Sequence, residues 1–145
     1  MQPVALLCGS NRRRWLALVA ACAACAAGSP WAQEISPLKP NEPIEVPGGS
    51  ISVLGLQINR GDTTSVSLRV RALAGPKDSL IMRDEVFRLL AAGVPRAPRK
   101  AFSFLVAPDS AEDFDLAFQI PDRTDDLVLQ IRVGDTVARR RLGQR

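Results

Sequence analysis

An alternation of apolar and polar residues with a period of two runs through much of this chain and limits its fold more than any other pattern in the sequence. It is clearest in TSVSLRVRA (64–72), where Val66, Leu68 and Val70 share one face and serine and arginine side chains share the other. Such alternation is typical of β-strands with one buried face. The same pattern recurs at 50–58, 101–107, 114–120 and 127–133, and in a shorter form at 136–142. The sequence therefore predicts antiparallel sheets with one face in solvent.

Residues 1–32 form a separate unit that precedes this pattern. Three arginines are followed by the apolar run WLALVAACAACAA and then by Gly28, Ser29 and Pro30. This layout is that of a secretory signal peptide. The apolar run is shorter than the roughly 20 residues that span a bilayer, and no second run of that length follows. We therefore expect a periplasmic or secreted protein with no transmembrane segment in the mature chain.

Three details of the leader stay open. Cleavage after Ala32 gives a polar start to the mature chain, whereas the string ACA ending at Ala26 has the better small residues. The string NRRRWLA resembles a twin-arginine export signal, which competes with the ordinary secretory route. The string VAAC (19–22) resembles a bacterial lipobox, so a lipid anchor at Cys22 is a further candidate.

The leader also accounts for most of the chain's basic character. It holds all three cysteines and three of the 19 basic residues but no acidic ones, which leaves 16 basic against 15 acidic residues after position 32. The mature domain therefore has no disulfide and depends on its core for stability. Because its net charge is close to zero, we expect no nucleic-acid partner.

The residue types that remain exclude several kinds of enzyme. The mature sequence has no histidine, no cysteine and no tyrosine. Triads that need histidine, cysteine nucleophiles, and His or Cys sites for zinc, copper or iron are thereby excluded. The chain has neither a GxSxG elbow nor a glycine-rich phosphate loop. We therefore expect no catalytic residues, no cofactor and no enzyme activity.

An acidic stretch within PDSAEDFDLAFQIP (108–121) is the best candidate for a site. Asp109, Glu112, Asp113 and Asp115 fall within seven residues, and calcium prefers oxygen ligands of this kind. Their spacing does not match an EF-hand, and no glycine interrupts the run. If this stretch alternates with a period of two, its phenylalanines face inward. This pattern favours a solvated turn that leads into a core strand. We therefore expect no metal site and keep these four carboxylates as weak calcium candidates.

Charge is segregated along the chain. Residues 60–100 are mainly basic, 109–126 mainly acidic and 127–145 mainly basic. Strands that bring these blocks together would neutralise them, whereas separated blocks would offer a partner a charged surface. The last block could also contact anionic lipid. Its interaction candidates are Arg139, Arg140 and Arg141.

A proline-rich segment separates the leader from the alternating pattern. QEISPLKPNEPIEVPGG (33–49) contains four prolines and shows no apolar periodicity. This composition predicts an extended arm outside the packed structure. The domain itself is then expected to span 50–145.

The stretch RDEVFRLLAAGVP (83–95) is ambiguous between helix and strand. Asp84 fits a helix cap, and Gly93 fits the residue after a helix end. A strand with Phe87 and Leu89 inward fits equally well in an all-β neighbourhood. The local sequence leaves 84–92 open between the two.

Four segments in order, VSLRVRAL, EVFRLLAAGVPRAP, FSFLVAPDSAEDFDLAFQIP and LVLQIRVGD, together resemble a known family. It comprises bacterial extracytoplasmic immunoglobulin-like domains of unknown function, similar to the secreted immunoprotective antigen of mycobacteria. The matching residues are Phe87, Arg88, Leu89, Gly93, Val106, Pro108, Asp109, Ala111, Leu116 and Phe118. The resemblance spans about 50–142. It implies an immunoglobulin-like antiparallel β-sandwich of about six to seven strands, one of them at 86–91.

These features together predict a non-catalytic exported interaction module. Its partner would be an unknown envelope or extracellular protein. The alternative is a periplasmic protein that binds a small ligand or calcium.

Overall fold

The computed structural model describes residues 34–121 and 123–143. The predicted signal peptide, with its export signal and Cys22, lies outside these ranges. Within them the chain forms eleven strands and one short 3-10 turn, and none of it is α-helical. No helix in this described part is long and apolar enough to cross a membrane. The strands are β1 (Ser36–Pro37), β2 (Pro43–Val46), β3 (Gly49–Arg60), β4 (Thr64–Ala74), β5 (Leu80–Arg83), β6 (Phe87–Ala91), β7 (Val94–Arg96), β8 (Ser103–Val106), β9 (Ala111–Ile120), β10 (Leu127–Val133) and β11 (Thr136–Leu142).

The strands form two main sheets. The order is β1-β11-β10-β6-β7 in the first sheet and β2-β3-β4-β9 in the second, while β5 and β8 form a separate pair. The chain leaves the second sheet after β4 to form β6 and β7 in the first sheet. It returns to the second sheet at β9 and crosses again to form β10. As a result β4 lies beside β9 and β6 lies beside β10, which is the cross-connected arrangement of immunoglobulin-like sandwiches. The predicted all-β sandwich is confirmed.

The number of strands exceeds the prediction because four short ones were not expected. Seven strands coincide with the predicted segments, including a strand at 86–91. The additional strands β1, β2, β5 and β7 have two to four residues each. Segments this short carry too few residues to show a period.

The inner faces of the two sheets share one hydrophobic core. In β4 the burial alternates strictly, with Val66, Leu68 and Val70 buried and Ser67, Arg69 and Arg71 exposed. The first sheet contributes fully buried side chains such as Leu89 and Leu129, which are paired across β6 and β10. Each such side chain stabilises the fold by about 1.5–3 kcal/mol. A core of this kind needs no disulfide.

The ambiguous stretch is a strand preceded by a single turn. Asp84–Val86 forms the 3-10 turn, without a capping bond from a side chain, and β6 follows with Phe87 and Leu89 fully buried. Because β6 pairs with β10 on one side and β7 on the other, both its edges are hydrogen-bonded. Pairing within the sheet therefore outweighs the local helix signal.

Gly93 lies in a hairpin turn and not at a helix end. Ala91 pairs with Val94, so the loop between β6 and β7 is the dipeptide Ala92-Gly93. Both residues have positive φ, 48° and 80°. This is the type I′ geometry that favours Asn-Gly.

Replacing Ala92 with asparagine is therefore expected to stabilise the domain. A left-handed conformation costs an alanine roughly 1–2 kcal/mol and an asparagine less, so we expect the free energy of unfolding to rise by about 1 kcal/mol. Urea denaturation measures the change. The matched control is Ala97→Asn, at an exposed position a few residues further on, and an equal gain in both variants would contradict the turn assignment.

The proline-rich segment corrects one prediction, since it is extended but not outside the packed structure. Strand β2 pairs with β3 and buries Ile44, which is 5% exposed, and β1 pairs in parallel with β11. Both are edge strands, where the missing N–H of a proline is tolerated. A Pro47-Gly48 turn, with Gly48 at φ 85°, then leads directly into β3. Within the described ranges, packed structure thus begins near Ser36.

Candidate functional site

The four acidic candidates do not converge on one point. Asp113 and Asp115 lie on the outer face of β9, and Glu112 alternates to the other face. Asp109 lies in the turn before β9, at φ 57°, where its N–H donates to the carbonyl of Gly75 at 3.0 Å. Within the described ranges no group of three or more acidic side chains is placed to hold a metal ion.

The absence of a calcium site stays a prediction, which a thermal melt can check. We expect the melting temperature to be unchanged between chelator and millimolar calcium, because ligands of calcium must surround the ion with six or more oxygens. A reproducible rise in melting temperature that disappears in the Asp113→Asn variant would contradict this expectation.

The outer face of β9 is instead an ion-pairing surface. Arg71 on the neighbouring strand β4 lies directly opposite Asp113 and holds it with two bonds, Nε to Oδ1 at 2.7 Å and Nη2 to Oδ2 at 2.9 Å. The hydrogen bond from Arg71 lowers the pKa of Asp113, and the same bond raises the pKa of Arg71. Two residues further along the same face of the sheet, Arg69 lies opposite Asp115. Sheet pairing thus brings basic and acidic blocks together.

Two further ion pairs connect the acidic loop before β10 to basic strands. Asp125 lies 3.0 Å from Nη2 of Arg60, at the end of β3. Asp126 lies 4.0 Å from Nε of Arg141, in β11. Both pairs are exposed, so each contributes little to stability. With the pair between Arg71 and Asp113, they bring three carboxylates of the acidic block, Asp113, Asp125 and Asp126, against arginines of the same chain.

The ion pair between Arg71 and Asp113 predicts a pH dependence. Because folding lowers the pKa of Asp113, its contribution to stability is present above the unfolded value of about 3.9 and is lost as the pH falls through the lower folded value. We expect the Asp113→Asn variant to be less stable than the wild type near pH 6, with the difference shrinking towards pH 2. Urea denaturation across this range measures the difference.

The control for this titration is Asp115→Asn, on the same face of β9. Asp115 forms no ion pair within 4.0 Å among the described residues. Its replacement should therefore change the free energy of unfolding less than Asp113→Asn does. A stability difference for Asp113→Asn that is constant from pH 6 to pH 2 would contradict the role of the carboxylate charge.

The three predicted arginine candidates do not form one patch. Arg139 and Arg141 lie on the outer face of the first sheet, whereas Arg140 alternates to the other face and donates to the carbonyl of Arg139 at 3.1 Å. Arg139 donates to Oε1 of Gln130 at 3.1 Å. All three side chains are half-buried, on a strand that is paired on both sides.

The outer face of the first sheet carries further arginines that the sequence did not mark as interaction candidates. Gln130 in β10 lies between Arg139 in β11 and Arg88 in β6. Arg132, two residues further along β10, lies on the same face. Arg88 is held by two bonds of 2.8 Å to the carbonyls of Asp84 and Phe87. Arg88 is distant in sequence from the residues of β10 and β11, so only the strand register could have revealed its proximity to them.

Outside these charged faces lies a groove with an aromatic floor. It has a volume of about 660 Å³, within the range of ligand sites. Phe102, Phe104 and Phe114 form the floor, while Arg99 and Lys100 lie at the rim. We call it the phenylalanine groove. The sequence placed most phenylalanines in the core, and nothing in its pattern indicated that three would be half-buried.

The phenylalanine groove exists because two consecutive strands do not pair. Strands β8 and β9 are joined by the short connection 107–110, yet β8 pairs with β5 and β9 pairs with β4. One edge of β9 is therefore free of a strand partner within the described ranges. Along this edge the N–H of Arg99 donates to the carbonyl of Ala117 at 2.7 Å. The segment that carries Arg99 forms the opposite wall of the groove.

Comparison with known proteins gives a likeness in fold alone. No protein-family model matches the chain, and no curated protein matches it. A solved structure of an uncharacterized β-sandwich protein from Clostridium difficile 630 is similar, with 7% sequence identity and a TM-score of 0.55. The match covers 77% of this chain and 96% of that chain. At this identity the likeness supports the β-sandwich, and the predicted similarity to the mycobacterial antigen stays a prediction.

Proposed function

We propose that this chain is a non-catalytic interaction module that acts outside the cytoplasm on an envelope or extracellular protein. The observation that carries the proposal is the phenylalanine groove, a concave surface whose aromatic floor is only half-buried. Concave apolar surfaces with a few polar groups are the usual form of a binding site. The leader at 1–32 supports export to the periplasm or beyond.

The chemistry of the side chains supports a binding role over catalysis. The chain after residue 32 has no histidine, cysteine or tyrosine, and its acidic groups in the described ranges face arginines or solvent. The sandwich and its solved neighbour of unknown function are consistent with membership in the extracytoplasmic immunoglobulin-like family. We include that membership in the proposal.

Site-specific crosslinking tests the proposed function. A photoreactive phenylalanine analogue replaces Ala101, which lines the phenylalanine groove, and in a second variant replaces Asp135 in the exposed turn between β10 and β11. After irradiation with envelope fractions, we expect one protein to be captured from position 101 and not from position 135. Recovery of the uncrosslinked domain alone from both variants would overturn the proposal.

A periplasmic small-ligand protein is the second candidate. It is favoured by the volume of the groove and by the cationic rim of Arg99 and Lys100, which suits an apolar anion such as a fatty acid. Native mass spectrometry of the domain with dodecanoate separates the two functions. A one-to-one complex that the Phe104→Ala variant does not form would favour the small-ligand function.

A further inference from the structure

We propose, building on the interaction role above, that the phenylalanine groove binds an extended peptide segment of the partner. The segment adds as a strand to the free edge of β9. It places a large apolar side chain on the aromatic floor and a neighbouring acidic side chain against Arg99 and Lys100.

Part of the backbone of β9 faces the edge that has no strand partner among the described residues. The carbonyl of Ala117 accepts from Arg99 and therefore points away from β4. In a strand the N–H and C=O of one residue point to the same side, and residues two apart share that side. The backbone groups of Asp113 and Asp115 thus point to the free edge. An edge of this kind is a template for an added strand, which is a common mode of peptide recognition.

The floor of the phenylalanine groove is fixed before a ligand arrives. The ring of Phe114 lies 5.1 Å from that of Phe104 and 5.5 Å from that of Phe102. Behind them Phe114 makes an edge-to-face contact at 5.7 Å with Phe87, which is 0% exposed. An anchored floor loses little side-chain freedom on binding. It offers an incoming apolar side chain aromatic contact beyond simple burial.

The rim of the phenylalanine groove is cationic. Arg99 and Lys100 are exposed and form no ion pair with the acidic residues of the described ranges. The rim therefore holds two cations against the single carboxylate of Asp115. Charge complementarity selects a ligand with an acidic group beside its apolar side chain.

The same residues argue against a second copy of this chain as the occupant. Pairing of two β9 edges in a register centred on this segment would bring Asp115, which forms no ion pair among the described residues, close to Asp115 of the other copy. Like charges opposite each other destabilise a sheet. A fatty acid would use the floor and the cations but would leave the backbone edge of β9 unpaired, so the edge favours a peptide.

Selection from a phage-displayed library of random twelve-residue peptides tests the site. We expect enriched peptides to share a large apolar residue next to aspartate or glutamate, and the affinity of their synthetic forms is measured by fluorescence anisotropy. Phe104→Ala and the Arg99→Glu, Lys100→Glu double variant should each weaken binding at least tenfold. The matched controls are Leu105→Ala, next in β8 but 60% exposed, and Lys77→Glu in an exposed loop; both should bind like the wild type.

Amide hydrogen exchange tests the strand addition itself. Binding of a selected peptide should slow exchange at the N–H groups of Asp113 and Asp115. Binding without this protection would overturn the proposal, as would peptides that bind Phe104→Ala as tightly as the wild type, or a library that enriches none. Dodecanoate binding without any enriched peptide would also overturn it. If crosslinking at Ala101 still captures a protein, the interaction role stands while the peptide site fails; if crosslinking recovers the domain alone, the interaction role itself fails.

Discussion

Replacing Phe87 with alanine is expected to lower the free energy of unfolding by about 4 kcal/mol, within the range for deleting a buried aromatic side chain. Phe87 is 0% exposed, and its ring packs against Phe114 at 5.7 Å and Phe102 at 6.2 Å. It connects the core strand β6 to the floor of the phenylalanine groove. Its loss leaves a cavity beneath two rings that other elements hold in place. Urea denaturation measures the loss, which is a large part of the roughly 5–15 kcal/mol typical of a domain.

The conservative variant keeps this prediction measurable if the alanine variant does not fold. Phe87→Leu retains most of the apolar volume and should lose less than about 1.5 kcal/mol. Leu105→Ala, at an exposed position, should change the free energy of unfolding by less than about 0.5 kcal/mol. A loss below 1 kcal/mol for Phe87→Ala, in the range of ordinary surface changes, would show that the ring is not a core element.

Replacing Gly49 with alanine is expected to destabilise the domain by about 3 kcal/mol, at the upper end for overpacking. Gly49 lies in β3 where β2 and β4 flank it. A Cβ on Gly49 would overlap the carbonyl oxygen of Leu73 and lie 3.1 Å from the Cα of Ala74. Both are backbone atoms, so β3 and β4 must separate at this end to relieve the clash.

The matched control for Gly49 is Gly55 in the same strand. A Cβ there would meet Cβ of Arg69 at 3.9 Å, an ordinary contact. Because alanine also restricts the unfolded chain, Gly55→Ala should be neutral or stabilising by about 0.5 kcal/mol. Thermal melts of both variants give the comparison. Equal melting temperatures would contradict the close approach at Gly49.

Strand positions and their inward faces could be predicted from the sequence. In β4 the assignment of Val66, Leu68 and Val70 to the core is confirmed, and Leu116 and Phe118 in β9 are buried as expected. This succeeds because the pleat of a strand fixes which residues share a face, whatever the neighbouring strand is. The missed strands β1 and β2 contain prolines and too few residues to show a period. Strand β1 pairs with β11, which is distant in sequence, and β2 pairs with β3 in a hairpin.

The candidate site was less predictable than the fold. The acidic residues stood out in the sequence because they are close together, yet Asp113 meets Arg71, which is 42 residues away along the chain. The phenylalanine groove did not stand out, because its residues look like ordinary core positions. Its opening depends on β8 pairing with β5 and not with β9.

From the sequence alone the all-β class of the domain could be inferred, as could the absence after residue 32 of the histidine and cysteine side chains that common catalytic sites use; the export-type leader stays a prediction. These properties follow from composition and from a period of two, which are local. Which strands are neighbours became known from the three-dimensional fold, and so did the pairing of the charged blocks, the packing of the proline-rich segment and the open edge of β9. Register and strand order depend on contacts between residues far apart in the chain, and no local pattern encodes which distant partner a strand will choose.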